Sequence, residues 1–296
     1  MIQFDGHTAT VCSLAFSPDS MTLASGAKDG GVKLWDAAGG LVRQYSRGGH
    51  FPQLALAWSP GSDALFSGDE YLNMFRPSGA VVERCESVGF VGVTSIVFVS
   101  DNVLAVGTGK RNEPSPGGLD LWQVQGLVRK PISQVIGRPH GVRALAAHPP
   151  TKRLHWIAGL PNTTACVWRS WCITSPNATD VKLTKPAADI CVSPDGGTVA
   201  IASDWLVRVF TADGKPKAEL SGHKGQVAGV GFIHGGRTVV SASWDETVRF
   251  WDVATGQETA RFALKVGKLT ALAVSPDETR IAVGGTDGPV VVLDAE

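Results

Sequence analysis

The sequence predicts an all-β fold built from seven repeated units, on three observations. First, His7, Ser25, Asp29 and Trp35 stand at offsets 0, 18, 22 and 28, and His223, Ser241, Asp245 and Trp251 repeat those offsets 216 residues later. Each set opens on Gly-His (Gly6, Gly222) and closes on Trp-Asp (Asp36, Asp252). Second, Ser-Pro-Asp follows an apolar run at Ser17, Ser193 and Ser275, with weaker relatives beginning at Ser59, Ser100, His148 and Ile233. These seven positions lie 42, 41, 48, 45, 40 and 42 residues apart. Third, no segment carries a helical period, and each unit reads as three or four short strands.

The first strand of each unit is the apolar run before the turn: residues 11–16, 54–58, 95–98, 142–147, 188–192, 227–232 and 269–274. Both parities of these runs are mostly apolar or small, as in a strand buried on both faces. A second run follows the turn, such as Thr22-Leu23-Ala24 or Thr238-Val239-Val240. A tight turn carrying Asp then leads to a third run, such as Gly31-Val32-Lys33-Leu34-Trp35. Short strands at this spacing are the pattern of propeller blades.

The Gly-His, Ser, Asp and Trp-Asp residues of units one and six resemble the WD40-repeat family, and the resemblance extends in weaker form along the whole chain. Unit four keeps His140 and Trp168 at the 28-residue offset with Asn162 in the Asp place. Unit two has His50, Asp69 and Phe75, unit five Asp204 and Phe210, unit three Trp122, and unit seven Asp287 with Leu293 in the Trp place. The resemblance implies a seven-bladed β-propeller of four-stranded antiparallel blades, one domain over residues 1–296. The family places a fourth strand before the first Gly-His, where Ile2-Gln3-Phe4 stands, and residues 290–293 match a third strand with no fourth after it. The ring is therefore expected to close by pairing the N-terminal strand with the C-terminal blade.

Composition narrows the partners. Lys plus Arg and Asp plus Glu number 27 each, so there is no basic excess to favour nucleic acid. No apolar run approaches ~18 residues, and residues 1–5 carry neither a basic nor a long apolar leader segment, so no membrane association and no secretion are expected. The five cysteines (Cys12, Cys85, Cys166, Cys172, Cys191) fit thiols in a reducing cytoplasm better than a disulfide framework or a zinc site. The sequons at Asn162 and Asn177 carry no meaning without secretion.

His7, Ser25 and Asp29, or His223, Ser241 and Asp245, could be read as catalytic triads. Two copies argue against that, and the resemblance implies a buried hydrogen-bond chain with Trp35 and Trp251 instead. Burying an indole N–H, a hydroxyl and an imidazole together requires each to find a partner. Asp69, Asp204 and Asp287 could be cation ligands, but the first-strand runs hold no carboxylate except Asp189, so neither metal nor cofactor is expected.

Aromatic residues carry the functional signal. Trp35, Trp58, Trp122, Trp168 and Trp251 fall on core positions. Trp244 and Trp205 fall in the turn between second and third strands, which in the resembled family opens on the top face beside the Gly-His loop. Lys28, Lys224 and Phe51 are expected on the same face, as are Lys110 and Arg111 within the irregular residues 108–118. Residues 170–180, also irregular, are expected on the opposite face. Exposed Trp beside a charged rim is a residue type that dominates binding energies. The resulting expectation is a non-catalytic scaffold, monomeric by itself, binding a protein or peptide on the top face. An enzyme or small-molecule binder using the central channel, and a structural subunit of a stable complex, are the alternatives.

Overall fold

Residues that are apolar on both parities form the innermost strands of a ring of seven four-stranded antiparallel sheets. The computed structural model describes residues 1–46, 52, 54–77, 82–84, 92–109, 117–125, 128–134, 141–159, 165–173 and 178–295. The chain begins with β1 (Ile2–Phe4). Blade one is β2 (Val11–Phe16), β3 (Leu23–Ala27), β4 (Gly31–Trp35) and β5 (Leu41–Ser46). Blade two is β6 (Ala55–Trp58), β7 (Leu65–Gly68), β8 (Leu72–Phe75) and β9 (Val82–Arg84). Blade three is β10 (Val93–Ser100), β11 (Val103–Thr108), β12 (Leu119–Gln125) and β13 (Val128–Gln134). Blade four is β14 (Val142–His148), β15 (Arg153–Gly159), β16 (Cys166–Cys172) and β17 (Ala178–Leu183). Blade five is β18 (Ala187–Val192), β19 (Thr198–Ser203), β20 (Leu206–Thr211) and β21 (Pro216–Ser221). Blade six is β22 (Val227–Ile233), β23 (Thr238–Ser243), β24 (Thr247–Asp252) and β25 (Glu258–Ala263). Blade seven is β26 (Leu269–Val274), β27 (Arg280–Gly285) and β28 (Val290–Asp294), completed by β1.

Ring closure follows the expected pairing. β1 lies antiparallel to β28 with Ile2 opposite Val292 and Phe4 opposite Val290. Phe4 is buried against Trp35 of blade one, with ring centroids 5.5 Å apart, so the closing strand also ties the first blade to the last. Neighbouring first strands then contact each other all round the ring, from β2 through β6, β10, β14, β18, β22 and β26 back to β2.

Burial peaks in the second and third strands of a blade, covered on both faces by neighbouring blades, and is least in the outermost strand, which is why the outer runs are polar. β3, β4 and β19 are buried along their whole length, whereas β25 is almost wholly exposed. Blades lock together through a valine set against a glycine. A methyl group at Gly107 of β11 would stand 2.6 Å from Val142 Cγ1, and one at Gly284 of β27 would stand 2.5 Å from Val11 Cγ1. Only hydrogen fits between such closely packed sheets.

The Ser-Pro-Asp turns have a local cause. In each, the serine hydroxyl donates to the Asp two residues on and accepts the N–H five residues on, at 2.9 Å for Thr22, Thr198 and Arg280. The turn is thus closed by its own side chains on the face opposite the Gly-His loops.

Blade four corrects the sequence reading. In β16 it is Trp171 that stands opposite Leu154, the register that Trp35 holds opposite Leu23 and Trp251 opposite Val239. Trp168 stands opposite Ile157, where blade one has Val32 opposite Gly26. The hairpin between β15 and β16 is longer than in blade one, so counting 28 residues from His140 stops three short of the family position. The stretch expected to be irregular over 170–180 is also partly regular, since β16 runs to Cys172 and β17 starts at Ala178.

Candidate functional site

Two complete hydrogen-bond chains anchor the top face, where first strands begin and second strands turn into third strands. In blade one, Trp35 Nε1 donates to Ser25 Oγ at 2.8 Å, His7 Nε2 lies 2.8 Å from the same hydroxyl, and His7 Nδ1 lies 2.9 Å from Asp29 Oδ2. Asp29 also accepts the backbone N–H of Thr8 and of Gly31. Blade six repeats the chain through Trp251, Ser241, His223 and Asp245 at 2.8, 2.8 and 3.0 Å. There the Lys224 and Thr247 N–H groups and the Arg249 guanidinium complete the carboxylate's shell. The glycine of Gly-His is explained as well, because a methyl group at Gly6 would lie 2.9 Å from the Trp35 ring.

Electrostatics hold these chains in one protonation state. Burial pushes the His7 and His223 pKa values down, more than the paired carboxylates raise them. For Asp29, burial pushes upward but is outweighed by the Gly31 N–H, His7 and the Thr8 N–H. Asp245 is held well below the usual carboxylate range: burial again opposes, and Thr247, Lys224 and His223 prevail. The result is a neutral imidazole between a hydroxyl and a carboxylate. Ser25 and Ser241 are 0% exposed, so no substrate atom could reach either hydroxyl.

The other blades show what happens when one member is missing. Val106 takes the serine place in blade three, and the Trp122 Nε1 is sealed with no partner among the described residues. Trp156 takes it in blade four, and its own Nε1 has no partner among the described residues either. Blade five has Ile201 and Phe210, an apolar pair that needs no bond.

Above these chains lies the mouth of the central channel. A depression of about 230 Å³ is lined from blades one, two, four, five, six and seven, with Lys28, Arg143, Gln226 and Trp244 among its walls. Trp244, which is 43% exposed, lies in the β23–β24 turn, fixed by its backbone N–H to the Gln226 carbonyl at 2.9 Å. Lys268 Nζ sits 5.4 Å from its ring centroid. Lys28, exposed, occupies the equivalent β3–β4 turn. Trp205, 59% exposed, is in the β19–β20 turn, next to Asp204, whose carbonyl accepts the Val227 N–H at the start of β22. Lys224 is exposed on the Gly-His loop of blade six. Lys28 and Trp244 thus share the depression, while Trp205 and Lys224 stand on the same face outside its walls. Phe51, Lys110 and Arg111 lie outside the described residues, as do His50, His140, Asn162 and Asn177.

Arg143, Gln226 and Lys268 were not singled out by the sequence, although an arginine inside the apolar run 142–147 was a visible signal. Deeper in the channel a second space of about 180 Å³ holds Asp189, whose Oδ2 accepts the Val230 N–H from the next blade at 3.0 Å. Among the described residues no three His, Cys, Asp or Glu side chains come together as a metal site would require. Cys12, Cys166, Cys172 and Cys191 are thiols. No helix is long and apolar enough to cross a membrane.

Comparison with known proteins points one way. The family model described as WD domain, G-beta repeat matches residues 1–36 and 214–252, which are the two segments carrying the complete hydrogen-bond chains. An uncharacterized WD repeat-containing protein of Synechocystis is 37% identical over 99 residues, 33% of this chain and 28% of that protein. A periodic tryptophan protein 2 homologue of Schizosaccharomyces pombe is 30% identical over 110 residues, 36% of this chain and 13% of that protein. Nuclear distribution protein nudF of Aspergillus niger is 24% identical over 299 residues, 86% of this chain and 61% of that protein. The chain spans less than two thirds of the length of each.

Proposed function

This chain is a WD40-repeat β-propeller of seven blades, and on that premise we propose that it is a non-catalytic scaffold which binds a protein or peptide on its top face. WD-repeat relatives support an interaction role in general. The observation that carries the choice of face is Trp244, a large aromatic left 43% exposed at the rim of a depression to which six blades contribute. A rigid ring presents such a side chain without ordering losses on binding, and a desolvated tryptophan is the commonest kind of binding hot spot. Trp205 and Lys224 widen the same surface, and Phe51, Lys110 and Arg111 are assigned to it from the sequence.

Catalysis is disfavoured by the sealed hydroxyls of Ser25 and Ser241 and by the engagement of Asp189 with Val230. We also infer that residues 1–296 act as one unit, monomeric by itself, with thiols suited to the cytoplasm.

The test is affinity capture from source-cell lysate with the wild type and with a Trp205→Ala/Trp244→Ala variant. Both tryptophans are exposed, so the variant should melt with the wild type. Partners held by the wild type and lost from the folded variant are the expected result. Partners retained equally by both would move the interface to another face.

A further inference from the structure

The first strands are not uniform at the channel mouth. In six of the seven, the pairing register with the second strand skips one residue near the start of the strand: Cys12, Thr94, Arg143, Ala188, Ala228 and Thr270. Such bulges turn one side chain out of the ladder. Five of these residues are small and uncharged. Two of them, Thr94 and Thr270, bond the next blade through the Val142 and Val11 carbonyls, each at 2.6 Å. Arg143 alone carries a charge at this position, and its side chain lines the depression.

The charge there is one-sided. Among the described residues, Lys28 and Arg143 are the ionisable cations in the wall and no Asp or Glu lines it. Among the described residues neither of them, nor Lys268, forms an ion pair. Lys268 already covers the Trp244 ring, so a cationic ligand would have to displace the chain's own ammonium from that aromatic face. The remaining wall is apolar or neutral, including Leu54, Ala187 and Ala228. That mixture suits a side chain with methylenes and a carboxylate better than a phosphate backbone, and the chain as a whole has no net positive charge to attract nucleic acid. Asp189 in the deeper space would repel a second carboxylate, so the ligand stops at the mouth.

We propose that the channel mouth captures an acidic peptide segment, seating a Glu or Asp side chain between Arg143 and Lys28 beside the Lys268-capped Trp244. The proposal rests on the top-face reading and adds the chemistry of the partner to it.

A random peptide library selected against the full chain, and in parallel against Trp244→Ala, tests both. The expected result is that peptides requiring Trp244 are rich in Asp and Glu. Arg143→Glu, and separately the surface change Lys28→Glu, should each weaken the best of them by about tenfold or more. Lys152→Glu, the same charge change on the opposite face, should leave affinity unchanged. Trp244-dependent peptides that are neutral or basic, or acidic ones indifferent to both Arg143→Glu and Lys28→Glu, would overturn the acidic partner and leave the face standing. Absence of any Trp244-dependent peptide would overturn both.

Discussion

The Thr270 hydroxyl donates a 2.6 Å hydrogen bond to the Val11 carbonyl, and so fastens β26, in the blade where β1 meets β28, to β2 of blade one. The bond complements the pairing of β1 with β28 and the packing of Phe4 on Trp35. Thr94 makes the same bond to Val142 between blades three and four, where the chain is continuous. Thr270→Val keeps the shape and removes the donor, and should lower stability by about 1 kcal/mol in urea melts. Phe4→Ala should cost about 3–5 kcal/mol, because it empties the site that the closing strand fills. A Phe4→Ala protein that melts with the wild type would mean the ring holds without its closing strand.

Ser241 is the hub of the blade-six chain, taking the Trp251 indole N–H and facing His223 Nε2. Ser241→Ala strands both groups in a dry interior and should cost about 1–3 kcal/mol. Combining it with Trp251→Phe should cost less than the two changes added together, since the second removes one of the orphaned groups. Full additivity in a double-mutant cycle would show that the chain contributes nothing as a unit.

The fold was legible because blades one and six keep all four members at fixed spacing, and a repeat propagates its architecture to degenerate copies. Legibility failed where spacing and register part company. Trp168 lies 28 residues after His140, yet Trp171 occupies the family register opposite Leu154, because the β15–β16 hairpin is longer. The exposed rim was readable in Trp244 and Trp205, since turn position alone exposes them. Arg143 stood out only as a lone charge in the apolar run 142–147; its place at the channel mouth was not readable, because a bulge is a feature of strand pairing and no single segment encodes it.

Trp168 and Trp251 should therefore respond differently to the same substitution. Trp168 is fully buried between blades four and five, 5.3 Å from Phe210 between ring centroids, with no partner for its Nε1 among the described residues. Trp168→Phe removes an unsatisfied donor and should change stability by less than about 1 kcal/mol, the lost volume and the relieved N–H offsetting each other. Trp251→Phe breaks a 2.8 Å bond to Ser241 and should cost about 1–3 kcal/mol. Equal losses measured by denaturant melts would mean that packing alone sets the value of both rings.

His155 gives the molecule an acid-labile point. It is buried in β15 against Trp168, neither ring nitrogen has a partner among the described residues, and blades one and six place Ala24 and Val240 in the same register. Burial lowers its pKa to about 4, and the Arg153 guanidinium acts in the same direction. Below pH 6.5 the unfolded chain takes up a proton at this residue that the folded chain refuses, so the neutral ring stabilises the fold fully above pH 6.5 and progressively less as pH falls towards 4. A gap of this size corresponds to about 3 kcal/mol. His7 and His223, also lowered by burial, push in the same direction, whereas Asp29 and Asp245, lowered in the fold, lose their stabilising contribution as pH falls through the ordinary carboxylate value of 3.8 and below. His155→Leu should flatten the stability profile between pH 6.5 and pH 4, with little loss at neutral pH. Urea melts of the wild type and the variant at several pH values measure this directly. Profiles that stay parallel down to pH 4 would mean that the ring is charged or solvated in the folded state, and that blade four has a water or ion at its core.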